Sequence, residues 1–276
     1  MKKLTKTYIY RALFSLRYAE QLIFAALMAV FGAVLAGQLS KLMLSGELPQ
    51  GTLASFRTGG GYTLGVVRFG SVMQLRMMRT KDFITGLLCT EGLLSVAAVV
   101  CVKNVTDVLR YGGAANAVSR GAKRRQVFGA MCVTNIIAVL GIALVTLAAF
   151  TAASRITAGF KGGGIADLED VGIILRQLVE LTAFSVMCTA VAAAYGKPLR
   201  AAMTLLGAVL VLPTAFGYMR IMYGTDFGLP KVISFVRMLQ SGMLLPNIGD
   251  VIAAAGMAAI SVLAGITIMN RKRIDI

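Results

Sequence analysis

Residues 127–152 read VFGAMCVTNIIAVLGIALVTLAAFTA, a run with no acidic or basic side chain. As a helix it is long enough to cross a hydrocarbon layer of roughly 30 Å. Lipid offers backbone N–H and C=O groups no partners, so a run that crosses it must be helical. Five further runs of similar character flank it, at residues 21–39, 83–102, 171–194, 201–219 and 251–269. The expectation is an all-α, polytopic membrane protein with six transmembrane helices in a single domain, residues 1–276. The first run, after a basic leader, is expected to remain an uncleaved helix.

Composition agrees. The 276 residues are 57% hydrophobic and 14% charged, with a mean hydropathy of +0.78, outside the range of soluble globular chains. There is no His and no Trp, which excludes imidazole bases, His metal ligands and Ser-His or Cys-His nucleophile systems. Cys89, Cys101, Cys132 and Cys188 lie in or beside apolar runs without C-x-x-C spacing, so they read as small buried hydrophobes. No set of nucleophile, base and metal ligands remains, and the expectation is a chain that is not an enzyme and holds no metal.

The formal charge is +16, yet no nucleic-acid-binding motif accompanies it, so the basic loops are expected to meet lipid headgroups. Lys and Arg accumulate on the cytoplasmic side. With both ends inside, the inner segments hold sixteen of them and the outer loops eleven. Residues 1–19 mix Tyr8, Tyr10, Leu13, Phe14 and Leu16 with Lys3, Lys6, Arg11 and Arg17, which suits an amphipathic segment on the inner surface. Residues 51–81 carry Arg57, Arg68, Arg76 and Arg79 among apolar side chains, too many charges for a seventh span. Residues 195–200 form a tight hairpin with Pro198, and Pro213 is expected to kink the fifth span. Around residues 230–246 an interfacial or re-entrant helix is expected, with Phe235, Val236, Met238 and Leu239 beside Arg237.

The loop at residues 104–126 is the most informative. It contains YGGAANAVSRGAKRRQVF at residues 111–128: small residues around Asn116, a break at Gly121, and a basic cluster opening the third span. Basic residues at a helix entry work against the macrodipole, so local helix stability does not account for them. In this loop and in its overall layout the chain resembles the membrane subunits of ABC-2 type ABC exporters, particularly the lantibiotic and bacteriocin export or immunity branch. Gly112, Asn116, Val118, Gly121, Lys123, Arg124, Val127 and Phe128 fall on that family's loop pattern, and the terminal run RKRIDI at residues 271–276 is similar to its basic end. Met131 stands where the family often has Lys.

The resemblance implies a cytoplasmic coupling helix that docks on a separate ABC ATPase subunit, with Asn116, Ser119, Arg120, Gly121, Lys123, Arg124 and Arg125 as contact candidates. It also implies a second permease subunit, a bacterial plasma membrane, and ATP and Mg bound on the partner rather than on this chain. The cargo it implies is a peptide or another hydrophobic molecule. The chain itself has no G-x-x-x-x-G-K-[ST] loop. Three charged residues fall inside spans: Glu91, read near the middle of the second, and Arg176 with Glu180, an i,i+4 pair in the fourth. Such groups face a bundle interior, a pore or a partner, which keeps open an alternative, an ion-driven or energy-independent carrier using Glu91 and Glu180.

Overall fold

A computed structural model describes residues 2–47, 57–58, 61–64, 66–157, 160–161, 168–223, 233–241 and 247–271. Short helix α1 (Lys2–Leu13) turns at Ser15, whose hydroxyl accepts from the Tyr18 N–H and starts α2 (Leu16–Ser45). There follow β1 (Arg57–Thr58), β2 (Gly61–Leu64), β3 (Val67–Phe69), α3 (Val72–Met77), α4 (Thr80–Leu87), α5 (Glu91–Arg110), α6 (Gly113–Ser119) and α7 (Arg124–Ile156). Then come α8 (Leu168–Tyr195), α9 (Pro198–Tyr223), α10 (Ser234–Ser241) and α11 (Ile248–Arg271). Among the described residues, six segments are long and apolar enough to cross a membrane: α2, α4 with α5, α7, α8, α9 and α11.

Helix α8 sits at the centre, packed by α11, α5, α7 and α9, while α2 lies against α7. Ala25, Ala29, Ala33 and Gly37 of α2 are all buried, so the small-residue face of the first span is used within the chain, where it lets backbones approach. The last span is different: Ala254 is buried, but Ala255 and Ala259 are exposed. Helices α9 and α11 bury only 22% and 17% of their most apolar stretches, which places them at the periphery.

The segment around residues 51–81 is neither a span nor a single interfacial helix. Its described part is an antiparallel β-meander, with Tyr62 opposite Phe69 and Leu64 opposite Val67, followed by α3. Strands of two to four residues leave too little alternation to be read from sequence. Tyr62 and Phe69 stack at 5.2 Å, and the aromatic chain continues through Phe83 to Phe150 and Phe160.

The second span is broken. Helix α4 ends at Leu87 and α5 restarts at Glu91, with the Thr90 hydroxyl accepting from the Leu93 N–H. The carbonyls near the break find side-chain donors: Gln177 Nε2 at 2.6 Å from Thr85 O, the Cys89 thiol on Gly86 O, and Arg68 Nη1 at 3.0 Å from Cys89 O. Without them each buried carbonyl would cost up to several kcal/mol in lipid. The twenty residues of α5 rise about 30 Å, so α5 alone is long enough to cross and α4 is a separate piece.

Helices also stand at the other expected places. Residues 2–13 are helical, with Tyr8 buried and Tyr10 and Phe14 exposed. A short helix, α10, lies within residues 230–246, burying Phe235, Val236, Met238 and Leu239. Helix α9 runs through Pro213, and Pro198 opens that helix rather than merely closing the one before. The glycine run at residues 162–164 and the terminal residues 272–276 lie outside the described residues.

Candidate functional site

Two polar regions occupy opposite ends of the bundle. At the first, α6 fills the corner between α5 and α7. Its small residues turn inward, Ala114 and Ala117 being buried, while Asn116 and Ser119 face solvent. Glycine bounds it on both sides: Gly112 has φ +70° and Gly121 φ +87°, a region that L side chains rarely adopt. The Gly121 N–H donates to Val118 O and the Ala122 N–H to Ala117 O, the paired closure of a Schellman motif. The result is a short, sharply delimited helix followed immediately by the basic entry of α7.

Of the seven loop candidates, Asn116, Ser119, Arg120, Gly121, Lys123 and Arg125 are exposed together on this corner. Arg124 differs, because its Nη1 donates to Asn270 O at 2.9 Å and Met269 O at 3.4 Å, carbonyls of the last turn of α11. A guanidinium at a helix C-terminus satisfies open carbonyls and complements the dipole. Arg124 is therefore a clasp between the third and sixth spans, not a free contact residue as expected.

Helix α1 braces the same corner. The buried Tyr8 hydroxyl donates to Gly113 O at 3.1 Å, and the Arg11 guanidinium lies 5.9 Å from the centre of the Tyr111 ring. Burial raises the Tyr8 phenol above its ordinary value, and the charge of Arg11 only partly opposes this. The phenol is thus a protonated donor at neutral pH. Arg17 and Asp107, 3.9 Å apart and partly exposed, add little. The amide of Asn135, fully buried in α7, joins Asn104 of α5 at 3.0 Å and Thr189 of α8 at 2.8 Å. Such interhelical bonds fix how three spans meet.

At the other end stands a buried charge cluster. Arg176 Nε lies 3.4 Å from Glu180 Oε1 and 3.0 Å from Asp250 Oδ2, and Arg237 of α10 pairs with the other oxygen of Asp250. Asp250 also accepts from the Asn247 N–H at the start of α11. Arg176, Glu180 and Asp250 are at most 2% exposed at the side chain. The i,i+4 pair expected from sequence is present, but it is half of a four-charge network of zero net charge.

Beside the network, fully buried Arg68 of β3 donates to Cys89 O and to Leu239 O near the end of α10. Asp250, Gln177 and Asn135 were not singled out by sequence reasoning, and Arg68 and Arg237 were read only as charges of their loops. The available signal was their polarity within or beside otherwise apolar runs. Glu91, expected mid-span, instead heads α5 because the chain breaks just before it, in the first turn where a carboxylate is favoured. Thr90 uses its hydroxyl on Leu93 and not on Glu91.

The four cysteines are free and buried. The chain matches no family model and no curated protein.

Proposed function

We propose that this chain is the membrane-spanning permease subunit of an ATP-driven exporter, with α6 and the entry of α7 as the surface that receives a cytoplasmic ABC ATPase subunit. The observation that carries the reading is the corner itself. A glycine-bounded helix presents Asn116, Ser119, Arg120, Lys123 and Arg125 outward, and its opposite face is held by α5, α7 and, through Tyr8, by α1. A partner that moves α6 moves the ends of two spans directly. ATP and Mg belong to that partner.

In this reading α1, α6 and the end of α11 are cytoplasmic and the membrane is a bacterial plasma membrane. The exposed apolar faces of α9 and α11, with Met203, Leu210, Ile260 and Leu263, meet lipid or a second permease subunit. Peptide or other hydrophobic cargo passes between the two halves. The alternative ion-driven carrier is less well supported, because Glu180 is engaged by Arg176 and the cluster around it is balanced.

The test is co-purification from native membranes in mild detergent, comparing the unaltered chain with an Asn116→Ala, Arg120→Ala, Arg125→Ala variant that leaves the Arg124 clasp intact. The expected result is an ABC ATPase that accompanies the first and is lost from the second. No ATPase with either chain overturns the exporter reading, and an ATPase retained equally by both overturns the coupling surface.

A further inference from the structure

A cavity of about 430 Å³ lies in the elbow between α1 and α2, walled on its other sides by α5 and α7. Three cations line it, Arg11, Arg17 and Lys103, against one carboxylate, Asp107. Lys103 makes no side-chain hydrogen bond or ion pair to any described residue. The inner wall is polar and ordered: Asn104 and Thr134 reach the cavity beside Asn135, which is fixed by its bonds to α5 and α8. Gln21 belongs also to a second depression, a largely apolar groove of about 550 Å³ lined by Phe24 of α2, Val96 and Val99 of α5 and Leu206 of α9, with Glu20 and Ser95 as its polar members. Val99 and Val96 stand one and two helical turns from Lys103 on the same helix. The two spaces adjoin at Gln21, which lines both, one basic at the end of the bundle and the other largely apolar along its flank.

We infer that these two spaces together bind one anionic phospholipid from the leaflet at the α1 end. The phosphodiester rests among Arg11, Arg17 and Lys103, the glycerol esters lie near the Gln21 amide, and an acyl chain lies in the groove. With Glu20 at the edge of the groove, three cations face two carboxylates, and this excess of one positive charge favours an anionic head over a zwitterionic one. The groove's apolar lining requires a chain, which a free phosphate lacks. Asp107, 3.9 Å from Arg17, and Glu20 both act against the ligand. The site is independent of whether an ATPase drives the protein.

The experiment uses the full chain in detergent, titrated with phosphatidylglycerol, phosphatidylcholine or inorganic phosphate and read by native mass spectrometry and melting temperature. Phosphatidylglycerol is expected to bind one to one and raise the melting temperature, while the other two do neither. Lys103→Gln should weaken that binding roughly fivefold, the share of one cation near the surface, and Val99→Trp should abolish it by filling the groove. Asp107→Asn should strengthen it, a gain that a misfolded variant cannot produce. Equal binding of phosphatidylcholine, equal stabilisation by inorganic phosphate, or affinities unchanged in Lys103→Gln and Asp107→Asn would each overturn the inference.

Discussion

Asp250 is the residue on which the most charge depends. It faces two guanidiniums, Arg176 and Arg237, at a side-chain exposure of 2%, and removing one partner of a buried pair strands the other. Asp250→Ala should therefore destabilise the protein by about 3–5 kcal/mol, seen as a large fall in melting temperature in detergent. Adding Arg237→Met should recover part of the loss, since it removes one of the two guanidiniums that faced Asp250 while Arg176 keeps Glu180. Equal losses in the single and double variants would show that charge balance is not what Asp250 supplies.

Among the elements, α7 and α11 approach closely at one point. The tip of the Phe128 ring points at Gly265, so that a Cβ there would fall 2.0 Å from Phe128 Cζ, and both residues are buried. Gly265→Ala should cost about 1–3 kcal/mol by overpacking, measured by thermal melting, and Phe128→Leu in the same chain should restore most of it. All six spans and the short helices α1, α6 and α10 were legible in the sequence, because apolar length, amphipathic pattern and glycine breaks are local signals. The interruption at residues 88–90 was not, since it persists through donors from Arg68 and Gln177, distant in the chain. The exposed loop residues of the candidate site were legible for the same local reason as α6. The role of Arg124 was hidden, because its partners are carbonyls some 146 positions away.

At the scale of the whole molecule, α1, α6 and the C-terminal turn of α11 share one end, tied by Tyr8 and Arg124. The four native cysteines are buried, so a membrane-impermeant maleimide should label the parent chain weakly. Lys3→Cys and Arg120→Cys should then become labelled from one side of sealed membranes and Met73→Cys from the other. Labelling of the first two from opposite sides would break the shared end.

The Arg124 clasp and the charge cluster also impose an order on biosynthesis. A ribosome releases residues 124 and 176 long before 250 and 270, so α7 and α8 enter the bilayer without the groups that complete them. Until α11 arrives, Arg176 lacks Asp250 and the Phe128 ring lacks Gly265. The nascent bundle therefore waits for α11, which completes both the clasp and the cluster. A chain stopped before that helix leaves an unbalanced arginine in the membrane for quality-control proteases to find.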